Sequence, residues 1–143
     1  MSIKEIEKLA KEFGLKNPEH FIQAFNVTKI KNGAKTSKSL YANSSLATLG
    51  DAVINLYLAN VLFRCNLDSK DITETRAKCE NNSNLEAICN MLEYPKFKYG
   101  EKSQQSDKLV DDPASLLEAI IGAVFIDKGF EETSAIIDKK IPI

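Results

Sequence analysis

Two stretches of this chain are apolar on every side of a helix, and each carries a single carboxylate in its interior. Residues 44–63 read SSLATLGDAVINLYLANVLF. Leu46, Leu49, Val53, Leu56 and Tyr57 share one helical face, while Ile54, Leu58, Val61 and Leu62 spread apolar character around the rest of the circumference. From Ala114 to Ile126 the residues are again almost continuously apolar. A helix that is apolar all round belongs in an interior, so the pattern predicts two buried central helices. Their carboxylates, Asp51 and Glu118, are costly there unless paired or coordinated. The residues alone leave two readings open. One is a structural ion pair with Arg64 or Arg76, the only arginines. The other is a carboxylate pair holding a hard divalent cation. Gly50 lies beside Asp51, and Gly122 lies one turn after Glu118. Glycine inside a helix costs about 1 kcal/mol relative to alanine. Its presence in both segments predicts a close helix crossing that brings the two acids together.

The remaining segments also read as helices. Ile3, Ile6, Leu9 and Phe13 recur at helical spacing, and Gly14 stands where a C-terminal cap belongs. Phe21, Ile22, Ala24 and Phe25 follow Pro18, a residue suited to a first helical turn. A helical region over residues 69–92 is expected to break near Asn81 and Asn82. Asp112 is placed to cap the second apolar helix, Pro113 to open it and Gly129 to end it, with a last amphipathic segment over 131–140. Two polar stretches are lysine-rich. KIKNGAKTSKS carries Lys29, Lys31, Lys35 and Lys38, and KFKYGEKSQQSDK carries Lys96, Lys98, Lys102 and Lys108. No repeat, heptad run or alternating strand of useful length is present, so the expected fold class is all-α.

Composition narrows the function. The 143 residues suit one domain, and 43% hydrophobic content excludes a disordered chain. Lys plus Arg total 19 against 20 Asp plus Glu, a net charge of −1, which excludes coating nucleic acid by bulk charge. Any anionic partner must be gripped by local clusters. Cys65, Cys79 and Cys89 form no C-x-x-C, and His20 is the single histidine, so zinc is poorly supplied with ligands. Free thiols in a reducing compartment are expected. The opening MSIKEIEKLAKEFG has no apolar core of a signal peptide, and no apolar run is taken to reach the roughly 20 residues of a membrane span. The expectation is a cytoplasmic protein with no membrane partner. His20 is expected at the surface, and Tyr57, Tyr94, Phe97 and Tyr99 are expected to pack rather than stack on bases.

SLATLGDAVINLYLANVLF and LLEAIIGAVFIDKGF resemble the two signature segments of the ribonuclease III catalytic domain, approximately E-R-L-E-F-L-G-D-A-V and A-D-x-x-E-A-x-I-G-A-x-Y-L-D-x-G. Three other stretches resemble the family in the same order. FIQAFNVTK resembles its L-x-x-A-x-T-H-x-S segment. Asn43 stands where an N-E-R-L run begins. DITETRAKCENNSNLEAIC resembles L-T-x-L-R-A-x-L-V-N-N-x-x-L-A-x-I-A. The resemblance runs from about Glu19 to Glu132.

What the resemblance implies is an all-α endonuclease domain, a helical bundle that forms a homodimer and hydrolyses double-stranded or structured RNA with Mg²⁺ (or Mn²⁺). Asp51 and Glu118 match two of the family's four metal-binding carboxylates and are the implied catalytic and metal-binding residues. The other two positions fall on Ala47 and Ser115, and the leading glutamate of E-R-L-E falls on Ser44. Ser115 and Asp112 are candidates for outer-sphere roles, although a plain helix cap also accounts for Asp112. Lys96, Lys98, Lys102 and Lys108 are the candidate RNA contacts. The alanine before L-G-D-A-V is similar to the short Mini-III type, which lacks a separate double-stranded-RNA-binding domain, whereas GAVFIDKGF is closer to the full-length enzymes. The layout expected on this basis is one ribonuclease III-like domain over 1–143 with no separate double-stranded-RNA-binding domain. The alternative is a non-catalytic RNA-binding or ribosome-associated relative.

Overall fold

The structure is a computed structural model that describes residues 3–30, 40–100 and 112–143. Six α-helices account for most of it: α1 (Ile3–Glu12), α2 (Glu19–Ala24), α3 (Ser44–Arg64), α4 (Ser69–Cys79), α5 (Asn82–Met91) and α6 (Pro113–Lys140). A short 3₁₀ turn spans Tyr94–Phe97. The all-α expectation holds, with one small addition. Lys29–Ile30 (β1) pairs antiparallel with Leu40–Tyr41 (β2), so the first lysine-rich stretch begins on a strand. Two-residue strands leave no alternation to read.

Local chemistry accounts for the helix ends. Gly14, at φ +74°, closes α1: its N–H bonds to the Lys11 carbonyl at 2.9 Å and the Leu15 N–H to Ala10 at 3.1 Å. This is the paired bonding of a left-handed C-cap, which favours glycine. Asp68 caps α4 by accepting the Asp71 N–H, and Asn81 caps α5 by accepting the Asn84 N–H, both at 2.8 Å. The Asn81–Asn82 break is therefore a capping event. Gly129 interrupts α6 at φ +78°, ψ 177°, where the sequence places its end, and the chain continues helically to Lys140.

The core gathers around the first half of α6, where Leu116, Leu117 and every residue from Ala119 to Val124 are buried. Phe21, Phe25 and Phe97 form an edge-on chain against it, with ring centroids 5.3 and 5.8 Å apart. Tyr57 and Tyr94 are buried too. Burial, before any charge, raises both phenols: Tyr94 is pushed up to about 12, and the Asp138 carboxylate that accepts the Tyr57 hydroxyl raises Tyr57 further. These two rings serve packing, as expected. His20 is exposed on α2.

The expectation for α3 needs correcting. It buries Leu46, Val53, Ile54, Tyr57 and Leu58 against its neighbours but leaves Leu56 (55%) and Phe63 (72%) exposed. Periodicity reports which residues share a face, not what covers it; α3 lies at the edge of the bundle with one apolar side open. The membrane-length count also changes. By length and composition alone Ser44–Arg64 is long and apolar enough to cross a membrane, because Asp51 dilutes its hydropathy without breaking it. Its inner side is packed in the core.

A further tie holds the N-terminal segment to α6. The two carboxylate oxygens of Asp127 accept the backbone N–H groups of Lys16 and Asn17, each at 3.0 Å. Burial works against the Asp127 charge, but the Asn17 and Lys16 N–H donors and the nearby Lys128 and Lys16 ammoniums outweigh it, so its pKa falls below the usual 3.8. The stabilisation is then complete above 3.8 and is lost as pH falls through the lowered folded value. Asp127→Asn is expected to cost about 1–2 kcal/mol at neutral pH. Urea unfolding checks this, and the difference from the parent should shrink as pH drops below 3.8.

Candidate active site

The crossing of α3 and α6 is made at two glycines. A Cβ on Gly50 would overlap the Glu118 carbonyl and lie 3.0 Å from the Gly122 nitrogen. A Cβ on Gly122 would overlap the Leu46 carbonyl oxygen and lie 3.1 Å from the Gly50 nitrogen. Only hydrogen fits at either position, and backbone contact at this point fixes the register of one helix on the other. Asp51 follows Gly50 and Glu118 sits one turn before Gly122, so the crossing carries both acids to one place.

That place is a cleft of about 350 Å³ lined by Tyr41, Asn43, Ser44, Ala47, Thr48 and Asp51 on one side, and by Asp112, Ser115 and Glu118 on the other. Ser44, Ala47, Thr48 and Asp51 recur at three and four residues on α3, and Ser115 and Glu118 are three apart on α6, so each set shares a helix face. The first wall is held by hydrogen bonds. Ser44 Oγ accepts the Tyr41 N–H at 2.8 Å, the buried Asn43 side chain donates to the Ala24 carbonyl at 2.9 Å, and Thr48 Oγ1 donates to the Ser44 carbonyl at 3.1 Å. On the second wall, Asp112 Oδ1 accepts the Ser115 N–H at 2.8 Å and Oδ2 accepts the Ser115 hydroxyl at 3.0 Å.

The structure thus brings Asp51, Glu118, Ser115 and Asp112 together, but not in an interior. Asp51 is exposed and Glu118 only half-buried, so the expected burial of both acids is corrected. The arginine pairing also fails to appear at this place. Arg64 lies about 20 Å further along α3, in a separate groove with Glu131 and Asp138. Arg76 does not line the cleft, and its Nε is buried without a hydrogen-bond partner.

The lysines divide. Lys96 lines a different groove, with Glu5, Lys8 and Glu12 of α1. Its ammonium lies 3.6 Å from Glu93 and 5.3 Å from the Phe97 ring centroid. Lys98 is half-buried. Lys102 and Lys108, with Lys31, Lys35 and Lys38, lie outside the described residues. Among the described residues no lysine or arginine lines the acid cleft.

Sequence reasoning did not single out Tyr41, Asn43 or Thr48 as cleft residues. Thr48 was legible from its spacing between Ser44 and Asp51. The burial of Asn43 depends on the Ala24 carbonyl, a long-range contact with no local signal.

Two carboxylates with neighbouring hydroxyl oxygens form a hard-oxygen donor set. It fits Mg²⁺ or Mn²⁺, ions bound through one or two carboxylates that keep several waters. Among the described residues no three His, Cys, Asp or Glu side chains group to enclose a metal.

This helical bundle has counterparts among solved structures. Solved structures of the nuclease domain of ribonuclease III from Campylobacter jejuni match it. One has a TM-score of 0.73 and 30% identity over 96% of this chain and 99% of that one; a second has 0.72 and 29% over 95% and 92%. The chain belongs to the ribonuclease-III-like family, whose model matches residues 31–142. Among curated relatives, ribonuclease 3 of Cupriavidus pinatubonensis is 37% identical over 75% of this chain and 44% of its own length. Ribonuclease 3 of Leptospira interrogans is 28% identical over 90% and 54%. The chain spans about half the length of the curated relatives it matches.

Proposed function

We propose that this chain is a Mg²⁺-dependent endoribonuclease that hydrolyses phosphodiester bonds in double-stranded or structured RNA, with Asp51 and Glu118 as its metal-binding and catalytic residues. The observation that carries the reading is the convergence of these two carboxylates, from helices far apart in sequence, in one open cleft of a ribonuclease III-like fold. A divalent cation held there supplies charge neutralisation at the scissile phosphate and acidifies a water. Asp51 and Glu118 bind and orient the cation; the hydroxyls of Ser44 and Thr48 and the Asn43 wall shape the polar cleft beside it. The alanine at Ala47 is in keeping with the Mini-III type.

RNA grip is assigned to the lysine-rich stretches that run in sequence into the cleft residues Tyr41 and Asp112: first Lys98, Lys102 and Lys108, which precede Asp112, and second Lys29 to Lys38, which precede Tyr41. Lys96 is set apart by its Glu93 and Phe97 contacts and is the weakest of the four lysines named from the sequence. Binding is expected to be salt-sensitive, because it rests on phosphate contacts. Incubating the purified protein with labelled duplex RNA and Mg²⁺ or Mn²⁺ tests the activity. Cleavage products support it, and intact duplexes throughout, including ribosomal RNA precursors, overturn it.

A non-catalytic RNA-binding or ribosome-associated role is the second reading, favoured by the methyl group of Ala47 inside the cleft. It requires duplex binding or ribosome co-sedimentation that Asp51→Asn leaves unchanged.

We further propose that a second copy covers the open side of α3. Ala52, Leu56, Ala59 and Phe63 fall at spacings of four, three and four residues, one stripe along the helix. A C. jejuni nuclease-domain structure is described by flexibility in a region involved in dimer formation. Leu56→Asp or Phe63→Asp is expected to weaken self-association about 30-fold or more, the effect of losing ~2 kcal/mol at an apolar anchor. Sedimentation velocity reads the outcome; a monomeric parent protein overturns the assignment.

A further inference from the structure

We infer that Asp112 and Ser115 act as a unit in the acid cleft: Asp112 is a positioning residue that accepts a hydrogen bond from the Ser115 hydroxyl, so that Ser115 Oγ presents its lone pairs as a neutral oxygen ligand beside Glu118. The inference rests on the cation-binding reading of the cleft and adds a donor to it.

The geometry asks for more than a helix cap. Capping α6 requires only that Asp112 accept a backbone N–H, and Oδ1 does this at 2.8 Å from the Ser115 nitrogen. The second oxygen, Oδ2, accepts the Ser115 hydroxyl at 3.0 Å, a bond that satisfies no orphan backbone donor. A serine hydroxyl has one proton and two acceptor lone pairs. With the proton committed to a carboxylate, the lone pairs are left for the cleft. Ser115 is half-buried and stands one helical turn before Glu118 on the same face, and both line the cleft with Asp51. The negative charge of Asp112 also strengthens the Oγ dipole toward a cation. The pair therefore offers a hard oxygen of the kind that Mg²⁺ and Mn²⁺ take.

Mn²⁺ binding to the full chain, read by the paramagnetic resonance of free Mn²⁺, tests this alongside thermal unfolding of the same samples. Ser115→Ala should weaken Mn²⁺ binding about 10-fold, the scale of losing a group that orients or completes a metal shell, while Ser115→Thr, which keeps the hydroxyl, should bind within about threefold of the parent. Asp112→Ser separates the two roles. Serine caps as well as aspartate, so the melting midpoint should hold, yet it lacks the second carboxylate oxygen and the negative charge that hold the Ser115 hydroxyl proton, so Mn²⁺ binding should fall about 10-fold. Parent-like Mn²⁺ binding in Ser115→Ala or Asp112→Ser, or a Ser115→Thr as weak as the alanine variant, overturns the inference. Asp51→Asn serves as the separate control: if it leaves Mn²⁺ binding unchanged, the cation reading of the cleft itself fails.

Discussion

Gly50→Ala is expected to lower the melting midpoint by about 10 °C, a loss of about 3 kcal/mol. Helix propensity alone argues the opposite, since alanine is favoured over glycine by about 1 kcal/mol in a helix interior. The sign of the change therefore decides between propensity and packing. The new methyl would overlap the Glu118 carbonyl, which is backbone and cannot swing aside. The helices must part, opening the contact along which Val53, Ile54, Ile120 and Ile121 are buried. Gly122→Ala meets the Leu46 carbonyl and should behave alike. Gly129→Ala provides the contrast. Nothing lies within 4 Å of a Cβ there, so its cost comes from φ +78° alone, about 1–3 kcal/mol. Calorimetry of the three variants reads all of this. A stabilised Gly50→Ala would overturn the account of the crossing.

Asp51→Asn and Glu118→Gln are each expected to reduce duplex cleavage about 100-fold or more while the fold stays intact. The replacements keep shape and remove charge, and a directly coordinating carboxylate should matter at least as much as the outer partners whose loss costs 10–100-fold in affinity or activity. Because Asp51 is exposed, its neutralisation leaves no buried group unpaired, and melting should move by no more than a degree or two. Single-turnover cleavage of a labelled duplex with saturating Mg²⁺ checks the loss. Undiminished cleavage by Asp51→Asn would place the chemistry elsewhere.

Much of the molecule was legible before any coordinates. The caps at Gly14 and Asp112, and the break at Asn81, were readable because helix ends are local: a polar or left-handed residue meets backbone groups within a few positions. The Gly50–Gly122 crossing was readable because glycine inside a helix has a cost that only close approach repays. Asp51 and Glu118 stood out because each was alone in an apolar run. What misled was the inference from apolar to buried. Leu56 and Phe63 have the composition of a core, and no periodicity distinguishes a face covered within the chain from one left open for another. The same limit hid Asp127, whose carboxylate holds backbone groups of residues 16 and 17 at the other end of the chain.

By itself the sequence determined most of the helices, several of their ends and the two candidate acids, since these depend on spacing and on neighbours within a turn or two. Only the tertiary structure decided that the acids share an open cleft, that Asp112 reaches the Ser115 hydroxyl, that Lys96 belongs to a different groove, and that α3 keeps one side uncovered. Each of those depends on which surfaces meet across the chain, and the free energy of that meeting is a property of packing rather than of any local run of residues.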